Sequence, residues 1–454
     1  MKTYLLVLFS TVFSYVSAQT SVLNQYIQQG ITENIQGQKH RLSIEEQTLK
    51  LAEVKGTLLP RITFDANYFL SNGGRTLDFP LGDLFNPINA TLNELTGSAD
   101  YPTNFENIAE PFSPHNFQDT KLKLQYSIFN RANYYNYKAQ AQLIDVEESK
   151  KRTFEQTLTK DIKIAYYQYF KLDALKAVVE QSQQQLLEVL HFNKKLVKYQ
   201  QVTEDVLVHL AYEIEKNKSQ LIGLHQQKEN AKAYFNTLLN RDLGVAIQAD
   251  SDLKTQLDNS LLVEKAIDLR VLQNQAFQNS PALLQLFQST KINETITTAH
   301  RKSFLPTLGV EIATGFQGTG YQFNRDQAIT TIGFGLNWVL YDGQQRKRKI
   351  EQLQVASAKI AKDYEQVKQQ IQLEVLQYFH ALTAAKHKAK VEEVALKSAK
   401  KRFDLTNKRY QNHQVLLIEL LDAQTKYTNA QLMVQLSKYE VLIQLAELER
   451  AANL

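Results

Sequence analysis

The chain has no cysteine among its 454 residues. That absence excludes disulfide staples, thiol catalysis, thiolate metal sites and a lipidated cysteine at the mature N-terminus. Beyond the N-terminal leader no stretch supplies the roughly 20 apolar residues that a spanning helix needs. Glycine and proline are scarce, 16 and 8 residues. Five of the eight prolines (Pro80, Pro87, Pro102, Pro111, Pro114) crowd into one segment, and both 115–280 and 307–454 contain none. Catalytic signatures are missing too. Nine histidines are scattered without paired metal spacing; His380 and His387 share a helix face about 10 Å apart. Gly315, Gly318 and Gly320 do not form a dinucleotide fingerprint, and no Gly-x-Ser-x-Gly elbow occurs. The expectation is no enzyme, no cofactor and no metal.

Glutamine is abundant, mean hydropathy is negative, and the net charge is a modest +5. Residues 1–18 read as a signal peptide: Lys2, the apolar run Leu5-Leu6-Val7-Leu8-Phe9, and Val16-Ser17-Ala18 before Gln19. The densest basic run, Arg346-Lys347-Arg348-Lys349, has the composition of a nucleic-acid patch, but an exported chain does not meet nucleic acid. After a membrane strand such a cluster faces anionic headgroups, or simply starts a solvated helix.

The sequence says the same thing twice. Each half has a helical stretch ending in Leu-Pro (Leu59-Pro60, Leu305-Pro306), an alternating strand, a loop, a second alternating strand and a very long helical run. Ile62, Phe64, Ala66, Tyr68 and Leu70 fall on one parity; Arg61, Thr63, Asp65 and Asn67 fall on the other. The pattern returns in Leu122, Leu124, Tyr126 and Ile128 against Lys121, Lys123, Gln125 and Ser127. It returns again in Leu308, Val310, Ile312 and Phe316, and in Ile332, Phe334, Leu336, Trp338 and Leu340. Period two means one apolar and one polar face. A soluble sheet covering a core alternates likewise. Strands of about 10 residues with aromatics towards their ends instead fit a membrane barrel. Four strands cannot close one, so two or three chains must combine, giving eight or twelve strands; the small polar residues Gly309, Thr331, Gly333 and Gly335 suit a hollow lumen.

The domain plan is a first repeat over 19–241 with strands about 61–71 and 119–130, a linker over 242–262, and a second repeat over 263–454 with strands about 307–317 and 328–341. Residues 72–118 form an acidic loop in which Asp78, Asp83, Glu94, Asp100, Glu106 and Glu110 face only Arg75. Leu158, Ile162, Ala165, Tyr169 and Leu172 step by coiled-coil spacing, with Leu175 and Val179 beyond a one-residue slip; Leu207, Leu210, Ile214, Leu221 and Leu224 carry a similar seam back. Ile350, Leu353, Ile360, Tyr364, Val367 and Ile371 do so in the second half. Turns near 200–203 and 411–415 make two helical hairpins.

With these marks the chain resembles the TolC family of outer membrane efflux channels. The resemblance is carried by Leu-Pro before the first strand of each repeat, by Tyr341-Asp342-Gly343, and by Tyr410 followed by Ile418-Glu419-Leu420-Leu421-Asp422-Ala423. It implies a mixed α and β membrane protein: a homotrimer whose twelve-stranded β-barrel sits in Gram-negative outer membrane lipid and continues into an α-helical coiled-coil periplasmic barrel. It further implies an efflux channel serving a periplasmic adaptor protein and an inner-membrane pump. A type I protein-secretion channel shares the fold; an exported structural coiled-coil or adaptor protein is the other alternative. In the trimer, Glu419 and Asp422, three apart on a helix, would ring the narrowest part of the tunnel with six carboxylates as gate and selectivity filter. Tyr410 and Asp205 are the candidates for hydrogen bonds holding the tip shut. The chain departs from the family in having Asn412-His413 and Gln201-Val202 where glycine is common, in a first turn that looks shorter than the second, and in Val415-Leu416 where a latching basic residue often stands.

Overall fold

The computed structural model describes residues 21–112, 114–250, 252–262 and 268–454; the signal peptide lies outside them. In chain order the elements are α1 (Val22–Glu33), α2 (Ile35–Gly56), β1 (Arg61–Leu70), β2 (Thr76–Phe79), α3 (Leu81–Thr96), β3 (Ile108–Pro111), β4 (Asn116–Phe129), α4 (Arg131–Lys198), α5 (Asp205–Leu238), α6 (Leu253–Leu262), α7 (Leu269–Gln278), α8 (Pro281–Lys302), β5 (Thr307–Thr319), β6 (Ala328–Asn337), α9 (Gln345–Gln411) and α10 (Leu417–Ala451). They divide into two compact units, one of residues 48–141 and 292–356, the other of 21–47, 142–291 and 357–454.

The first unit is built on an antiparallel sheet in the order β1-β4-β5-β6. Its registers line up like residues across the strands: Ile62 opposite Leu124, Leu124 opposite Ile312, Ile312 opposite Ile332. Alternation therefore survives as whole rows, which is what fixes a sheet's register. A bulge between Ser127 and Phe129 interrupts the end of the β4–β5 ladder. Observed strands differ from the expected ones at their ends, β4 starting at Asn116 and β6 ending at Asn337.

The acidic segment is not a plain loop. It contains the β2–β3 hairpin with α3 between its strands. Pro80 precedes the helix and Pro87 lies inside it, while Gly97 closes it in the left-handed region at φ 68°. Asn86, Asn89 and Asn93 donate side-chain amides to the carbonyls of Phe105, Pro102 and Tyr101 at 2.9, 2.7 and 2.7 Å. One helix face thus clamps the returning chain.

In the helical unit most of the expected seam of α4 is core, with Leu172 only half-buried; in α9 none of Ile350, Leu353, Ile360, Tyr364, Val367 and Ile371 is buried in the single chain, and Tyr364 is exposed. Leu158, Ile162, Ala165, Tyr169, Leu175 and Val179 are buried. Tyr166, Tyr26 and Phe235 join that cluster, Tyr26 and Phe235 edge to face at 5.1 Å. The linker contains α6, whose Leu253 and Leu257 enter the same core. Tyr166 accepts from the Asp250 amide at 2.6 Å, and Tyr26 accepts from the Gln248 amide at 2.9 Å. A second cluster packs Leu272 and Ala276 of α7 against Val375 and Leu382 of α9 and Val441 and Leu448 of α10.

Candidate functional site

Two surfaces carry the chemistry. The first is the sheet. Its apolar side is bare: Ile62, Phe64, Leu122, Ile332, Phe334 and Leu336 are all exposed, Phe334 by 72%. Such a contiguous apolar face demands a partner phase or a partner protein. The other side is polar: Lys123 of β4 pairs across to Asp65 of β1 at 3.0 Å, Lys121 pairs with Asp119 along β4 itself at 2.7 Å, and Gln125 of β4 donates across to Glu311 of β5 at 2.9 Å. Gly335, on this polar face, has no atom within 4 Å of where a Cβ would stand. The two outer strands, β1 and β6, pair on one side only. In lipid an unpaired edge is intolerable, because no water is there to satisfy it. Among the described residues no helix is long and apolar enough to cross a membrane, and no group of His, Asp and Glu is arranged to hold a metal ion.

The second surface is the pair of hairpin turns. Both use one backbone device. Gln200 (φ 56°) and His413 (φ 57°) take the left-handed position. Gln201 donates to Leu196 O and Gln414 to Arg409 O, each at 2.9 Å. This is the Schellman closure, normally favouring glycine; here larger residues stand at both positions. Contrary to the expectation from sequence, the first turn (199–204) is not shorter than the second (412–416). The expectation aligned the turns by residue type, whereas the two α-helices end by hydrogen bonding.

Around these turns Leu186, Leu210, Ile214, Leu417, Leu420 and Leu421 form a small core with Tyr410. Tyr410 is buried and donates to Asn193 Oδ1 at 2.6 Å. Burial pushes its phenol up, and the Asn193 bond partly offsets this. Asn193 is itself fully buried and donates to Val189 O at 2.8 Å. Asp205 is not brought to Tyr410; it begins α5 and accepts from Thr203 Oγ1. Glu419 and Asp422 are both exposed, while the neighbouring Leu420, Leu421 and Ala423 are buried. Glu419 reaches back to accept the Leu416 amide at 3.3 Å, a helix-start contact favoured by the macrodipole. Asp422 meets Lys426 at 2.9 Å and Arg402 at 3.8 Å. Sequence reasoning missed three of these partners. Lys426 was findable from its i+4 spacing to Asp422. Arg402 and Asn193 lie on other helices, and only the hairpin packing brings them in.

Residues 272–454 match the family described as Outer membrane efflux protein. Within that span, the second repeat, the chain is similar to the outer membrane efflux proteins. Over nearly its full length it also has the fold of solved outer membrane channels. It is similar to the Campylobacter jejuni CmeC outer membrane channel with a TM-score of 0.73 at 14% identity, over 95% of this chain and 85% of that one. The VceC outer membrane protein of Vibrio cholerae gives 0.72 at 12% identity, covering 95% of each chain. The open state of the Neisseria gonorrhoeae MtrE outer membrane channel gives 0.72 at 15% identity, over 95% and 88%. No curated protein matches the chain in sequence.

Proposed function

We propose that three copies of this chain close a twelve-stranded outer membrane barrel, and that the helical hairpins form the periplasmic conduit of a tripartite efflux system. The carrying observation is the four-stranded sheet with one bare apolar face, one ion-paired polar face and two half-paired edges. Lipid covers the first face, water fills the lumen against the second, and β1 of one copy completes its ladder on β6 of the next. A soluble adaptor or structural protein would have to cover the apolar face from its own chain. A periplasmic adaptor and an inner-membrane pump are the partners this fold serves, and small molecules are the cargo. Glu419 and Asp422 form the constriction, with Tyr410 fastening α9 to α4 beside it. Support comes from their exposure just past the second turn, above a core that fixes the backbone they stand on. Membrane fractionation tests the reading. The chain should stay with outer membranes through a urea wash and leave only with detergent; release into aqueous buffer would refute it.

A further inference from the structure

Conduction gives no role to the basic run that opens α9, and the structure supplies neighbours for it. The registers place Arg61, Gln125, Thr307 and Asn337 at one end of the sheet. Every strand junction at this end carries cations: Lys55 and Arg61 at β1, Arg131 after β4, Arg301 and Lys302 before β5, and Arg346 to Lys349 after β6. Within 54–61, 127–138, 300–306 and 338–350 the sole carboxylate is Asp342, and Arg346 occupies it at 3.3 Å. The opposite end bears the insert, with its six acidic residues and single arginine.

Local packing makes the junction one surface. Asn293 of α8 donates to Leu353 O of α9 at 2.9 Å, and the Arg346 guanidinium lies 5.4 Å from the Phe304 ring centroid. His300 is pushed down by burial and by the Lys349 charge. Phe304 meets Trp338 edge to face at 6.1 Å and accepts its indole N–H at 3.0 Å. Trp338, Leu340 and Tyr341, which directly follow β6 at this end of the sheet, are exposed. Beside them the side chains of Arg301, Lys302 and Lys347 are exposed and have no partner among the described residues. The α9 N-terminus adds its positive dipole end. Unpaired cations abutting an aromatic rim below an apolar face are built for a membrane interface, where headgroup phosphates are the anions within reach.

We propose that this junction binds anionic glycerophospholipid headgroups, with Arg301, Lys302 and Lys347 meeting the phosphate and Trp338 and Tyr341 seated at the interface. The inference rests on the membrane reading of the sheet. To test it, detergent-purified full-length trimer is delipidated and offered phosphatidylglycerol or phosphatidylcholine with identical acyl chains, and the retained lipid is counted by native mass spectrometry. Wild type should retain phosphatidylglycerol in preference. The R301Q/K302Q/K347Q variant should lose that preference about tenfold or more, and K347Q alone about fivefold, with phosphatidylcholine unchanged. K359Q/K397Q/K400Q removes the same charge from exposed sites elsewhere on α9 and should keep the preference. Equal retention of both lipids by wild type, or full preference in K347Q and the triple variant, overturns the proposal. So does complete displacement by inorganic phosphate, which would mark a plain anion site. A chain that urea strips from membranes fails the channel reading instead, so the two failures are distinct.

Discussion

At the scale of single residues the sharpest test lies in the second turn. His413 holds a left-handed backbone that a branched side chain resists. His413→Val should destabilise the turn by about 1–2 kcal/mol, read as faster amide exchange at Gln414, whereas His413→Gly should exchange no faster than wild type. Next to it, Glu419 and Asp422 carry the constriction proposal. Replacing both by Ala should weaken cation selectivity and multivalent-cation block in planar bilayers while assembly stays intact; unchanged selectivity in an assembled double mutant would refute the ring. Arg402 and Lys426 sharpen the test, because they offset Asp422 within the chain. Neutralising them should raise cation selectivity. Buried phenols give a pH signature elsewhere. Burial first, and then Asp250's charge against a bond from its amide, push Tyr166 up to about 12. A raised folded-state pKa leaves its stabilisation whole below the ordinary value near 10, and loses it as pH climbs from there towards 12. Alkaline unfolding followed by circular dichroism should therefore shift upward in Tyr166→Phe, relative to that variant's own neutral-pH stability.

The strands are the elements where sequence and structure agree most closely, because period two is a property of the chain that pairing only reads out. A charge at Ile312 or Phe334 should cost roughly 2–4 kcal/mol in a folding assay if that face meets mid-membrane lipid. The same charge at Thr331, on the opposite face, should alter conductance and leave folding nearly unchanged. Equal tolerance on both faces would remove the barrel. Gly315 adds a steric case: a Cβ there would stand 2.1 Å from Thr120 O, so Gly315→Ala should disturb the β4–β5 pairing and lower heat resistance of the assembly. The first long helix was nearly as legible, since most of Leu158 to Val179 needed only spacing to be recognised as core, whereas the seam expected from Ile350 to Ile371 has no buried member in the single chain. The insert was not legible. Its prolines read as breakers, yet Pro80 stands before the first turn, and tertiary clamps from Asn86, Asn89 and Asn93 hold a helix that local propensity does not announce. Tyr410 shows the same limit at the tip. Its residue type suggested a hydrogen bond, but its partner Asn193 is 217 positions away, and no spacing rule reaches that far.

For the whole molecule the decisive quantity is the number of chains. The sheet has two half-paired edges and four strands, so any closed barrel contains a multiple of four. Two copies would give eight strands, whose interior side chains fill. The polar face here is poorly suited to filling. Gly333 and Gly335 sit on it with little or nothing near their missing Cβ positions, and the charges that remain are paired along the sheet rather than across a core. Three copies give a hollow twelve-stranded wall. The helices argue the same way, for α9 keeps Val355, Tyr364, Val391, Val394 and Leu405 exposed in the single chain, a coiled-coil surface still lacking neighbours. Light scattering of the detergent-purified protein, corrected for bound detergent, should therefore return three chains at every concentration down to the nanomolar range. Cross-strand cysteines placed on β1 and β6, in a protein with no native thiol, should form disulfides between copies and yield a covalent trimer on a denaturing gel. A stable monomer with full strand content, or a ladder that stops at the dimer after complete oxidation, would mean the sheet edges are satisfied in some other way.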